Sequence, residues 1–133
     1  MTDYSDYTLV KNAVHNPSEP RHFMRIVPAN GRQVATIEGH EVASSDRALI
    51  VKEVGLDLYP WVVYFPRADV DMEALVRIDK STHCPLKGDT EYFDIDVGGS
   101  RHAEAAWSYV EMVAGEELKD LVAFDATQVT VTG

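Results

Sequence analysis

The fold class is indicated by residues 90–99, which read TEYFDIDVGG. Phe93, Ile95 and Val97 alternate with polar neighbours, and this period of two is typical of a strand with one buried face. The two glycines at the end predict a tight turn, because glycine adopts backbone angles that other residues resist. The next segment, 103–112, is ambiguous: its residues favour a helix, whereas its place after the turn favours a hairpin partner.

Strand-like segments continue over most of the chain. A hairpin is predicted over 23–38, because Asn30 and Gly31 form a strong turn dipeptide between two β-rich runs. Further strands are predicted near 40–43, 47–54, 59–66, 121–125 and 128–133. Helical patterns are confined to 69–77 and 116–120, each one or two turns long. The sequence therefore predicts a mainly-β fold of antiparallel sheets with one or two short helical turns.

The balance of charges argues against two classes of partner. The chain of 133 residues has 12 basic and 22 acidic residues, which gives a formal net charge of −10. Such a chain repels phosphate backbones and anionic lipid headgroups, and no cluster of basic residues offsets this locally. We therefore expect neither nucleic acid nor a membrane surface as a partner, and a homo-oligomer is left open.

Length and cysteine content predict the domain organisation and the compartment. A polar stretch with two prolines, 1–20, is predicted to be an N-terminal extension, and 21–133 is predicted to be a single β domain. One cysteine allows no internal disulfide and suits a reducing compartment. The first 17 residues lack the basic and apolar regions of a secretory signal, so we expect a cytoplasmic protein.

A turn with the chain's only cysteine is the first candidate for a site. Cys84, Pro85 and Lys87 lie in the run HCPLKG, where proline stiffens the turn. A thiol becomes nucleophilic when a nearby cation lowers its pKa, and Lys87 and His83 are close in sequence. The turn is therefore a candidate for binding an anionic group or for attacking an electrophile. The alternative is that Cys84 is a small buried residue of the core.

Four aromatic residues and one acid are candidates for the walls of a pocket. The aromatic residues are Tyr64, Tyr92, Trp107 and Tyr109, and the last two would share one face of a strand. Tyrosine and tryptophan combine apolar area with a polar tip, which suits a small-molecule site and equally suits a core. Glu53 lies at the end of an apolar strand, where it is a candidate partner of Lys87 or Arg47, a candidate proton acceptor, or an ordinary surface residue.

Metal and phosphate chemistry find little support in the spacing of residues. Asp94 and Asp96 share one strand face, as in the magnesium-binding pair of nucleotidyltransferases. However, the Gly-Ser element of that pattern precedes the acidic pair, whereas Gly99 and Ser100 follow it here. The five histidines show no spacing of a metal site, and only a gathering in three dimensions would provide one. The sequence therefore predicts no metal site and no cofactor.

Several motifs together resemble a known family. They read YFPRADVDMEAL (64–75), STHCPLKGDTEYFDIDVGG (81–99), AAWSYVE (105–111) and LVAFDATQVTV (121–131). They are similar to the bacterial family called domain of unknown function 427, over about residues 21–133. The resemblance implies a β-tent-like fold, in which antiparallel sheets lean together, and it implies no settled activity. The family tends to have a tyrosine where this chain has Asp125, which implies a pocket of different polarity.

These observations lead to a functional hypothesis with two alternatives. The leading hypothesis is a domain that binds a small molecule in a pocket near the turn, with an anion as one candidate ligand and enzymatic activity left open. The candidate catalytic residues are Cys84 and Lys87, and the candidate ligand-binding residues are Glu53, Tyr64, Thr82, Tyr92, Trp107 and Tyr109. The first alternative is a non-catalytic protein-interaction module that uses a strand edge or an aromatic patch. The second alternative is a nucleotidyltransferase-like activity.

Overall fold

A computed structural model describes residues 11–55 and 57–133 of the chain. In chain order its strands are β1 (Val14–Asn16), β2 (Glu19–Pro28), β3 (Gln33–Ile37), β4 (His40–Ser45), β5 (Leu49–Val54), β6 (Val62–Tyr64), β7 (Leu75–Ile78), β8 (His83–Cys84), β9 (Gly88–Val97), β10 (Ser100–Met112), β11 (Val122–Phe124) and β12 (Thr130–Thr132). Single 3-10 turns lie at Arg67–Asp69, Met72–Ala74 and Glu116–Leu118. The predicted mainly-β fold with short helical turns is confirmed.

The strands form three antiparallel sheets. Sheet A has the order β1-β2-β5-β6, sheet B has the order β12-β3-β4, and sheet C has the order β11-β10-β9-β7, with β8 also paired to β9. The long strands β9 and β10 are joined by the turn at Gly98 and Gly99, and they pair Phe93 with Ala106 and Tyr92 with Trp107. The ambiguous segment 103–112 is therefore a strand.

Sheet C contributes its two faces to two different cores. On one face Phe93, Ala106 and Phe124 pack in a core, core 1, with residues of sheet B such as Ala35. On the other face Tyr109 packs in a second core, core 2, together with side chains of sheet A. Neighbouring residues of a strand point to opposite faces, so both faces of β10 can carry apolar side chains. The candidate site lies beside core 2.

The predicted hairpin over 23–38 is wrong. Strand β2 pairs with β1 and β5, whereas β3 pairs with β4 and β12. The turn at Gly31, with a φ of +85°, is present, but it carries the chain from sheet A to sheet B. Met24 of β2 is buried in core 2 and Ala35 of β3 is buried in core 1, so the apolar faces of the two strands belong to different layers.

Two other predictions are refined by the structure. The predicted helical segment 69–77 consists of 3-10 turns followed by the strand β7. Within the predicted extension, 14–16 form an edge strand of sheet A, while 1–10 lie outside the described residues. The described part of the chain contains no helix with the length and apolar character needed to span a membrane.

Candidate functional site

Glu53 is the acid at the centre of the candidate site. It lies on β5, two residues after the buried Val51, and pairs across the sheet with the buried Met24. Because residues two apart on a strand share a face, the backbone directs Glu53 toward core 2 rather than toward solvent. Its side chain is only 15% exposed. A carboxylate at such a position requires partners, since an unpaired buried charge is costly.

Lys87 provides the first partner of Glu53. Leu86, in the turn between β8 and β9, is fully buried in core 2. The next residue, Lys87, is buried beside it and is only 6% exposed. The Lys87 Nζ donates a hydrogen bond to Oε1 of Glu53. The Lys87 carbonyl accepts a hydrogen bond from the Val113 amide, which ties the turn to the end of β10. The predicted pairing of Glu53 with Lys87 is present in the structure.

His22 provides a second partner that the sequence analysis did not single out. Its Nε2 lies 2.8 Å from Oε2 of Glu53, and its Nδ1 lies 3.4 Å from Nδ2 of Asn16. The Asn16 Oδ1 accepts a hydrogen bond from the Ser18 amide, so Nδ2 of Asn16 is the atom that faces the imidazole. Asn16, His22, Glu53 and Lys87 thus form one continuous hydrogen-bonded chain. His22 could have been identified as a partner of Glu53 only from the register of β2 against β5, which brings the two side chains together.

The hydrogen-bonded chain determines the protonation of Glu53. Burial by itself would raise the pKa of the carboxyl group, but hydrogen bonds from Lys87 and His22, together with their charges, outweigh the burial. The pKa of Glu53 therefore lies below its ordinary value. Glu53 is a carboxylate at neutral pH, and its negative charge balances the ammonium of Lys87.

Cys84 lies beside Glu53 and His22. One potential ligand atom from each residue, the Sγ of Cys84, a ring nitrogen of His22 and a carboxylate oxygen of Glu53, all lie within 4.8 Å of one another. Cys84 is half-buried and unpaired. His83, the sequence neighbour of this thiol, instead contacts Oδ1 of Asp89 with its Nδ1 at 2.7 Å. The structure therefore brings His22, rather than His83, together with Cys84.

The four aromatic candidates are gathered on the other side of Glu53. The ring centroids of Tyr64 and Tyr109 are 6.5 Å apart, and those of Tyr92 and Trp107 are 6.3 Å apart. The Trp107 Nε1 donates to the Tyr64 hydroxyl at 3.4 Å, and the Lys87 Nζ lies 5.6 Å from the Tyr109 ring centroid. Burial raises the pKa of Tyr64 and Tyr109, so both hydroxyl groups remain protonated.

Thr82 has a different position from the other candidates. Its Oγ1 lies 2.8 Å from Oγ1 of Thr90 and donates to the Tyr92 hydroxyl at 3.4 Å. Thr82 is exposed. In this position it supports Tyr92 from outside and is not among the side chains that line the cavity beside the aromatic rings.

Glu53 lines three cavities, and two of them contain the other candidate residues. The aromatic hollow, of about 800 Å³, is lined by the four aromatic candidates, Glu53, Lys87, Trp61 and Asp125 among others. The thiol cavity, of about 700 Å³, is lined by Cys84, Pro85, His22, His83, Glu53 and Asn16 among others. Tyr59 and Glu53 line both cavities. Asp125 thus adds a polar group to the aromatic hollow.

The acidic pair of the nucleotidyltransferase hypothesis is engaged elsewhere. The Asp94 carboxylate accepts hydrogen bonds from the Glu104 amide at 2.9 Å and from Nε of Arg101 at 2.7 Å. These contacts lower the pKa of Asp94. Asp96 is exposed. Asp94 therefore stabilises the β9–β10 hairpin, and neither acid lines the aromatic hollow or the thiol cavity.

Comparisons with known proteins identify a family. A family model described as a domain of unknown function (DUF427) matches residues 25–132. This match spans most of the chain and confirms the family that the sequence motifs indicated. A comparison with curated proteins finds no significant match.

Proposed function

The chain belongs to the domain of unknown function 427 family, and because this family name specifies no reaction, we propose a function from the site itself. The chain binds a small molecule that has a planar or apolar body and an anionic group. The observation that carries this proposal is the aromatic hollow, in which Tyr64, Tyr92, Trp107 and Tyr109 surround a volume large enough for a small organic ligand.

The distribution of lysines supports an anionic group on the ligand. Three of the chain's five lysines lie near aromatic rings that line the hollow, although the net charge is −10 and only Lys87 lines the hollow itself. The Lys52 Nζ lies 4.0 Å from the Trp61 ring centroid, the Lys80 Nζ lies 4.6 Å from that of Tyr92, and Lys87 lies near Tyr109. Two of these ammonium groups have carboxylate partners, so Lys52 is the one that contributes an unbalanced positive charge able to attract an anion.

The three lysines have different roles in this proposal. Glu53 neutralises Lys87, and Glu104 lies 3.0 Å from the Nζ of Lys80. Lys52 has no carboxylate partner among the described residues. Lys52 lines a smaller cavity that adjoins the hollow at Trp61, so it is the lysine placed to bind an anionic group that extends past Trp61, while Lys87 holds Glu53 in position at the inner wall. The sequence analysis made Lys87 a candidate for binding the anionic group, and this proposal gives that role mainly to Lys52.

The fluorescent dye 8-anilinonaphthalene-1-sulfonate tests the proposal, since it is a planar aromatic anion. Both tryptophans of the chain, Trp61 and Trp107, line the hollow, so a bound dye will quench their emission. We expect saturable binding that weakens about tenfold, equivalent to ~1.4 kcal/mol, in Lys52→Gln. Tyr92→Leu should weaken it as well. Lys119→Gln removes the same charge from an exposed lysine outside the hollow and should leave binding unchanged.

A second function is favoured by a separate observation. Leu58, Tyr59 and Trp61 are 78%, 42% and 65% exposed, and exposed apolar side chains grouped in this way are typical of protein-interaction surfaces. The variant Leu58→Gln separates the two functions. If it abolishes dye binding while Tyr92→Leu does not, the dye binds the exposed patch, the small-molecule proposal is wrong, and the interaction module is preferred.

A further inference from the structure

We propose that His22, Glu53 and Cys84 bind a thiophilic divalent metal ion such as Zn²⁺. The three residues come from β2, β5 and β8, which belong to two different sheets. They offer one nitrogen, one oxygen and one sulfur ligand, with potential ligand atoms all within 4.8 Å of one another. These are the three ligand types that zinc takes in proteins. The site is separate from the aromatic hollow, although Glu53 lines both.

The Cys84 sulfur makes no hydrogen bond with His22 or Glu53, whereas Nε2 of His22 and Oε2 of Glu53 are in contact at 2.8 Å. The Cys84 thiol has no hydrogen-bond partner among the described residues, so the gap beside it is not closed by a thiol–imidazole bond. Zinc lies about 2.0 Å from nitrogen or oxygen and about 2.3 Å from sulfur. To bind the ion, the imidazole and the carboxylate therefore separate slightly from their 2.8 Å contact, and the sulfur moves inward.

The surrounding hydrogen bonds leave one oxygen of Glu53 for the ion. Lys87 bonds Oε1, while Oε2 faces His22 at 2.8 Å. A hydrogen bond to the second oxygen of a ligating carboxylate is a common support of metal sites. The ion takes the place of the proton between His22 and Glu53, and the Cys84 thiol releases its proton to solvent when it binds as a thiolate. The thiolate and carboxylate then offset two of the three positive charges on the ion and Lys87. The remaining coordination position opens toward the thiol cavity.

Asn16 influences which nitrogen of His22 carries the proton, and this influence can be tested. Its Nδ2 faces Nδ1 of His22, which is an arrangement suited to an imidazole with its proton on Nε2. Metal binding at Nε2 moves that proton to Nδ1, and Nδ1 then needs an acceptor rather than a donor. The nearly isosteric Asn16→Asp provides such an acceptor. We therefore expect Asn16→Asp to bind the ion more tightly, by about 10-fold or more.

Titration of the metal-free full chain with Co²⁺ tests the proposal. Because Cys84 is the chain's only cysteine, thiolate-to-cobalt charge-transfer absorption can come only from this residue. We expect the absorption to saturate at one equivalent, to disappear on addition of Zn²⁺ and to be absent in Cys84→Ser. His22→Gln and Glu53→Gln should each weaken binding at least ~10–100-fold. Zn²⁺ should also slow the alkylation of Cys84 by iodoacetamide.

His83→Gln is the matched control, because His83 lines the same cavity and is bonded to Asp89. It should leave Co²⁺ binding unchanged. The proposal is overturned if folded wild-type protein gives no thiolate absorption. It is also overturned if the absorption survives both His22→Gln and Glu53→Gln, since the ion would then bind the thiol alone. Neither result affects dye binding in the aromatic hollow, so the two proposals fail separately. This proposal opposes the prediction from the sequence that the chain has no metal site.

Discussion

At the scale of the residue, Glu53 and Lys87 form the most buried ion pair among the described residues, with side chains 15% and 7% exposed. Removing one partner leaves the other charge buried, so Lys87→Met should lower the free energy of unfolding by about 3 kcal/mol. Glu53→Gln in the same background should restore part of that loss, giving a coupling of about 1–3 kcal/mol in urea unfolding. Additive losses would show that the pair does not stabilise the fold as a unit.

The lowered pKa of Glu53 predicts how stability depends on pH. In the folded state this carboxyl group holds its proton less tightly than in the unfolded state, where its pKa is near 4.5. Its stabilising contribution is therefore complete above pH 4.5 and is lost as the pH falls through the folded-state pKa. The difference in unfolding free energy between wild type and Glu53→Gln should shrink between pH 6 and pH 3. A constant difference would contradict the assignment.

At the scale of the element, the turn that presents Lys87 depends on Gly88. This residue has a φ of +130°, and a Cβ there would collide with the backbone carbonyl of Glu111 on β10. We expect Gly88→Ala to cost at least about 3 kcal/mol in urea unfolding, because backbone pairing must shift. Gly99→Ala is the matched control: it has a φ of +79° but open space around it. It should cost only about 1–2 kcal/mol. Equal losses would show that backbone strain, rather than the collision, sets the cost.

At the scale of the whole molecule, two cores share the faces of sheet C. If the two cores unfold together, shortening a side chain in core 1 must also lower the unfolding midpoint of core 2. Ile95 is fully buried in core 1, and Ile95→Ala should cost about 2–5 kcal/mol. Tryptophan fluorescence comes from Trp107, which packs against core 2, and from Trp61. Its unfolding midpoint should fall as far as the midpoint from circular dichroism. A fluorescence midpoint that does not move would mean that the cores unfold independently and that the prediction of a single domain is wrong.

The pairing of strands could be predicted only in part. The β9–β10 hairpin could be anticipated because its turn and both strands are adjacent in sequence. The partner of β2 could not, because Asn30 and Gly31 predict a turn without saying whether the strands on either side remain together. The pairing depends on which core the apolar face of each strand joins. Because β2 and β3 show the same alternation of apolar and polar residues, the pattern does not distinguish the two cores.

The amino-acid sequence by itself determined the mainly-β class, the family and most of the aromatic group, because alternation and motifs are local in the chain. Tyr92, Trp107 and Tyr109 lie on paired neighbouring strands, so their proximity follows from one hairpin. Only the tertiary structure decided the partners of Glu53. His22 contacts Glu53 from another strand of sheet A, and Lys87 contacts it from the edge of sheet C. Such contacts between distant segments depend on how the sheets pack, which no local pattern in the sequence encodes.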